Sequence, residues 1–172
     1  MKIGNALVLA AAITLAGCSA EGATPASGLK VASPAFAEGA EIPKKYACAA
    51  RGGQDVSPPL TWSGVPSSAR ELAIVVDDPD APGGSYIHWI VTGIPATTTR
   101  ADEGTAPGTV ARGSGGDPAY KGPCPPSGVH HYHFIVYALP EAVTASGDPQ
   151  TLHRRIKDAA IASGETIGTF AR

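Results

Sequence analysis

The sequence predicts a mainly β domain, an antiparallel β-sandwich with one short helix near its C-terminal end. Three observations carry that expectation. Runs rich in β-branched and aromatic residues, Leu72–Val76, Tyr86–Val91 and His131–Leu139, recur between clusters of turn formers, which is the signature of strands joined by loops. The 172 residues include 21 Gly and 16 Pro, which disfavour long helices because glycine costs backbone entropy and proline lacks an amide donor. With 43% apolar and 16% charged residues and a net charge of −2, the chain reads as one globular domain. The same balance argues against a nucleic-acid binder working through bulk charge and against a multi-span membrane protein.

The chain opens with Lys2 and the apolar run Ala6–Ala16. At about 1.5 Å per residue this run is too short to cross a hydrocarbon core of about 30 Å, so residues 1–17 read as an export signal. The run closes on Leu15-Ala16-Gly17-Cys18, which resembles the bacterial lipobox, in which small residues admit the chain to a signal peptidase and the cysteine thiol receives a diacylglycerol. Cys18 is therefore the expected lipidation site and the first mature residue, with two or three acyl chains giving firm anchorage. The expected location is the cell envelope, at the outer membrane or the periplasmic face in a Gram-negative cell. Residues 18–30 are small and polar and read as a flexible tether, and residues 31–172 as the single folded domain. Export permits disulfides. Cys48 and Cys124 remain either as one bridge closing a loop on the order of 70 residues or as two separate buried thiols.

Within the domain, Pro58-Pro59, the segment Asp78–Gly84 and the segment Gly113–Pro118 are loop chemistry by their fixed or positive φ angles. The helix is expected over residues 149–162, with Asp148 as N-cap, Pro149 at the first position and Gly164 just past the end.

Polar residues gather on two loop-to-strand segments. In Asp78-Pro79-Asp80-Ala81-Pro82 followed by Tyr86-Ile87-His88-Trp89, strand alternation puts Tyr86 and His88 on one face. In the segment Tyr120–His133, His130 and Tyr132 share a face, and His131 and His133 share the other. If the two strands are sheet neighbours, His88 and His130 meet beneath a Pro and Gly loop, with Asp78 fixing a ring nitrogen. A phosphate seeks converging donors: imidazole N–H groups, a phenol, and amides made approachable by glycine.

These residues carry a family resemblance. Asp77–Pro82 (DDPDAP), Tyr86–Trp89 (YIHW) and Gly122–Tyr132 (GPCPPSGVHHY) are similar to signature segments of the phosphatidylethanolamine-binding proteins, in particular the bacterial branch called Raf kinase inhibitor-like. Asp55–Gly64 resembles that branch's opening strand, and Gly168-Thr169-Phe170-Ala171-Arg172 its closing motif. The resemblance spans residues 31–172. It implies a β-sandwich whose small pocket binds phosphate, phospholipid headgroups or similar anions through Asp78, His88, Gly122, Cys124, Pro125, His130 and Tyr132, with Pro82 and Tyr86 at the mouth. Pro123 removes one amide donor, and the chain stops without the longer C-terminal helix of eukaryotic members, so a more open pocket is expected.

His131 and His133 form an H-x-H pair of the kind that binds metal in cupins, but the next acid is Glu141, beyond Pro140, and cross-strand packing is the reading adopted. Trp62 and Trp89 read as core or pocket wall. The expected function is therefore a non-catalytic, membrane-anchored lipoprotein that holds a small anion or phospholipid headgroup, with no metal, cofactor or nucleic acid. The alternative is a protein-interaction module, such as a protease inhibitor or regulator in the envelope. A hydrolase built on Asp78, His88 and Ser85 is disfavoured, because Gly83-Gly84-Ser85-Tyr86-Ile87 lacks the final glycine of a nucleophile elbow.

Overall fold

The computed structural model describes Met1 and residues 28–172. Apart from Met1, the expected export signal, with Cys18 and most of the expected tether, lies outside the described residues. Leu29 is buried and Lys30 pairs with Ser63, so packed structure begins just ahead of the expected boundary at residue 31. No helix among the described residues is long and apolar enough to cross a membrane.

The strands are β1 (Lys30–Ala32), β2 (Leu60–Ser63), β3 (Glu71–Asp78), β4 (Tyr86–Pro95), β5 (Arg100–Ala101), β6 (Thr109–Ala111), β7 (Val129–Leu139) and β8 (Ala162–Ala171), with helix α1 (Pro149–Ala159) between the last two. They form two antiparallel sheets, β1-β2-β5 and β6-β4-β3-β7-β8. The fold is the sandwich with one late helix that the sequence implies.

β3 explains why its sequence is continuously apolar. It is the central strand of the larger sheet and is buried on both faces. Leu72, Ile74 and Val76 enter the core shared with the smaller sheet, alongside Leu60, Trp62, Trp89, Tyr132 and Phe134. Ala73 and Val75 face the opposite way, into a second core with Ile87, Ile90 and Tyr137 that is closed by Leu152 and Ile156 of α1. Both tryptophans are core residues: the Trp62 Nε1–H donates to the Thr98 carbonyl at 2.7 Å, and Trp89 meets Tyr120 edge-on.

α1 starts as expected. Asp148 accepts from the Thr151 amide at 3.0 Å, and Pro149 takes the first helical position. It stops earlier than residue 162, because the Ile161 amide already donates to the Ala138 carbonyl and the chain has rejoined the sheet beside β7. Gly164 is consequently no helix stop. It sits in β8, where a Cβ would lie 2.1 Å from the Leu29 carbonyl oxygen, and its missing side chain lets the N-terminal segment cross. The expected opening strand over residues 55–64 is also shorter, with β2 confined to Leu60–Ser63.

Candidate functional site

The two segments singled out do converge, but not as direct neighbours. β3 lies between β4 and β7, so His88 and His130 stand on the two strands flanking Asp78. With strands about 4.8 Å apart, that spacing leaves a gap for a small guest rather than ring contact.

A β-bulge sets the aim of His88. Pairing of β3 with β4 steps from Val76↔Trp89 to Asp77↔Ile87, so His88 is the extra residue. Ile87 and Ile90 both enter the helix-side core while Trp89 enters the inter-sheet core, and His88 points to the same side as Trp89, packing its ring against Tyr86 at 4.7 Å and Tyr132 at 5.2 Å. Bulges re-aim side chains in this way. On β7 alternation is unbroken: His130, Tyr132 and Phe134 face inward, and His131 and His133 outward.

Asp78, Pro82, Tyr86, His88, Gly122, Cys124, Pro125 and His130 line a single cavity of about 460 Å³. Tyr132, expected to offer its phenol to a guest, does not reach that wall. It lies one alternation deeper on β7, fully buried, with its ring edge-on to His88 and stacked on His130 at 6.5 Å. Its hydroxyl lies near Asp78 and the Cys124 backbone without a well-formed hydrogen bond to either. Burial, reinforced by the Asp78 charge, pushes the phenol far above its usual range, so it stays protonated and supports the two rings from beneath.

Each imidazole is held by one nitrogen. The His130 Nδ1–H donates to Asp78 Oδ2 at 2.7 Å in a buried pair, and the His88 Nδ1–H donates to the Lys121 carbonyl at 2.7 Å. Asp78 therefore orients His130, while a backbone carbonyl orients His88. Both arrangements leave Nε2 as the free nitrogen. Burial is the main influence on His88 and pulls its pKa below the ordinary 6.5, against the opposing pull of the Lys121 carbonyl and Asp78. His88 is thus neutral at pH 7, its Nε2 presenting a lone pair.

The sequence reading placed Asp55 at the start of the opening strand and gave it no part in the site. This carboxylate lines the cavity at the one positive-φ non-glycine residue among those described, φ 51°. Its Oδ2 accepts from the Ala49 amide at 3.0 Å and its Oδ1 from the Gly122 amide at 2.8 Å. The Gly122 N–H is hence committed to the protein, not open to a guest. Glycine is required there for another reason: a Cβ would lie 2.4 Å from the Tyr46 carbonyl oxygen and from the Ala47 carbonyl carbon, so two chain segments pass in contact. An aspartate shortly after Gly52-Gly53 was the available signal, since Asp tolerates left-handed backbone and caps nearby amides.

Cys48 and Cys124, on those same two segments, are joined in a disulfide with Cα atoms 5.5 Å apart, and both line the cavity. His131 and His133 each meet a carboxylate from a neighbouring segment, Asp80 at 2.7 Å and Glu165 at 3.0 Å. Asp80 also accepts from the His131 amide, which ties the Asp78–Pro82 loop to β7 at the cavity lip. The Ser85 hydroxyl donates to Asp77 Oδ2 at 2.8 Å, and its carbonyl accepts from Gln150 of α1, so Ser85 is tied to the helix side of the sheet.

A family model described as "Phosphatidylethanolamine-binding protein" matches residues 32–171. Among known proteins, the chain is 48% identical over 154 residues to one from Mycobacterium tuberculosis named "Putative lipoprotein LppC", covering 86% of this chain and 75% of that one. It is 40% identical over 154 residues to a UPF0098 protein of Chlamydia pneumoniae, covering 84% and 99%. Among solved structures, E. coli YbcL, described as a new member of the mammalian PEBP family, superposes with a TM-score of 0.78 at 29% identity, over 85% of this chain and 99% of that one.

Proposed function

This chain belongs to the phosphatidylethanolamine-binding protein family, and on that premise we propose that it is a non-catalytic receptor for a small anion, a phosphate or phospholipid headgroup, anchored in the cell envelope by lipid on Cys18. The observation that carries this reading is the pair of fixed imidazoles, His88 and His130, each with Nδ1 satisfied inside the protein and Nε2 left for a guest in one cavity. The two carboxylates of that cavity do not oppose an anion as bare charges would. Asp78 accepts from the Asp80 amide and from His130, and Asp55 accepts from two amides. Asp78 holds the His130 ring through Nδ1, so Nε2 is the nitrogen left for the guest. Tyr86 stands at the mouth beside His88.

The test is a titration. Inorganic phosphate or phosphoethanolamine at millimolar concentration shifts the ring signals of His88 and His130 in NMR spectra, and unmoved signals overturn the reading. The neutrality of His88 adds a sign. An anion favours its protonated form, so binding takes up a proton, and affinity for sulfate, which does not titrate in this range, rises as pH falls from about 7.5 to about 5.5. Without ligand, the depressed pKa acts on stability in the opposite direction. The unfolded side chain titrates near 6.5 and the folded one below it, so the contribution of His88 is complete above that value and is lost as pH falls through the folded-state pKa.

Anchoring rests on the lipobox-like Leu15–Cys18 and on the name of the mycobacterial relative. Cys18→Ala moves the protein from the membrane fraction to the soluble fraction and abolishes incorporation of labelled palmitate; unchanged fractionation would count against the lipid.

A further inference from the structure

One wall of the cavity can make and break covalent bonds. The Cys48–Cys124 disulfide faces the same space as His88 and His130, with Cys124 exposed and Cys48 partly so. A disulfide sulfur open to approach is the electrophile in thiol–disulfide exchange, and access to it governs the rate. The wall also has means to stay in place when the bond opens. The Cys48 amide donates to the Pro123 carbonyl at 3.1 Å, the Gly122 amide to Asp55, and Arg51 Nη2 to the Pro125 carbonyl. A guest seated on the imidazoles can therefore remain seated through the exchange.

We propose that the cavity is an exchange site for small thiols bearing an acidic group, such as a phosphate, sulfonate or carboxylate. The acidic group rests on His88 and His130 while the thiolate attacks Cys124 Sγ. This inference rests on the anion-receptor reading of the same cavity. In the first step the new bond joins the ligand sulfur to Cys124 Sγ as the Sγ–Sγ bond breaks, and the electron pair leaves on Cys48, whose thiolate takes a proton from solvent. A second thiolate of the same kind attacks the ligand sulfur of the mixed disulfide, releasing the oxidised small disulfide and the Cys124 thiolate. Two thiols are oxidised and one protein disulfide is reduced.

Charge decides the matter. The protein carries a net charge of −2, and Asp55 and Asp78 line the cavity against one lysine, Lys121, whose ammonium is already paired with Asp117. With no anion receptor, an acidic thiol is repelled and reacts more slowly than a neutral one. With a receptor the order reverses, because binding holds the thiolate beside its target at high effective concentration.

The full-chain protein in its oxidised form is treated with 2-mercaptoethanesulfonate or 2-mercaptoethanol at matched thiolate concentration, and mixed disulfides and freed thiols are followed by mass spectrometry after alkylation. The expected result is cleavage by the sulfonate at least about tenfold faster than by the neutral thiol, saturating with concentration and slowed by inorganic phosphate. His130→Gln removes the preference, and its rate with 2-mercaptoethanol reports whether the variant keeps its cavity. Equal or faster cleavage by the neutral thiol, indifference to phosphate, or no cleavage by either overturns the proposal. If phosphate still shifts the His88 and His130 signals, only the exchange inference fails; if it does not, the receptor reading fails with it.

Discussion

Replacing both Cys48 and Cys124 with serine lowers the unfolding free energy by about 4 kcal/mol. The bridge closes a loop with a sequence separation of 76, and chain entropy released to the unfolded state grows with the length of that loop. β3 and β4, which flank the site on one side, lie within this loop, whereas β7 and β8 lie beyond it, so the bridge restrains one half of the larger sheet relative to the other before folding. The check is urea denaturation of the oxidised protein and the double serine variant. A loss below about 1 kcal/mol would mean that the hydrogen bonds around Gly122 and Asp55 keep the two segments together in the unfolded ensemble as well. Because the cavity wall keeps those bonds when folded, phosphate still binds the serine variant under native conditions, with ring shifts at His88 and His130.

Asp78→Ala costs about 3 kcal/mol, the upper end of the scale for a hydrogen bond to a charged group. Both side chains of the pair are almost fully buried, and the carboxylate is the acceptor for His130 Nδ1. Without it the ring is free to turn, and its other nitrogen no longer faces the cavity in a set position. Phosphate affinity then falls by about one to two powers of ten, as it does when the partner of an orienting histidine is removed elsewhere. Asp78→Asn separates shape from charge. The amide oxygen still accepts from Nδ1 and recovers most of the stability, but a neutral acceptor holds the N–H more weakly than a carboxylate does, so anion affinity recovers only in part. Denaturation and titration calorimetry on the same two variants report the two effects. Recovery of both by asparagine would show that the carboxylate contributes geometry alone.

How much of this was legible before any coordinates depends on where each signal resided. β3, β4 and residues 136–139 of β7 are visible as apolar runs because both of their faces are buried, and burial on two faces leaves no polar alternation to confuse the reading. β8 was read only as a closing motif. Its sequence, Ala-Ser-Gly-Glu-Thr-Ile-Gly-Thr-Phe-Ala, is poor in large apolar residues because the space over Gly164 and Gly168 is filled by Leu29, Phe36 and Ile42 from a distant segment. No local pattern encodes that. The bulge at His88 is likewise invisible locally, since it depends on pairing with β3.

The amino-acid sequence alone determined the strand segments, the cap of the helix, the family and the residues that gather around one cavity, because each is written in side-chain type and short spacing. Only the tertiary structure decided which groups are free to act there. It placed β3 between the two histidine strands, buried the Tyr132 phenol behind the cavity wall, and brought Asp55, read only as the start of a strand, to consume the Gly122 amide. A hydrogen bond is exclusive, so whether a donor is available to a guest depends on every other group the fold has already set beside it.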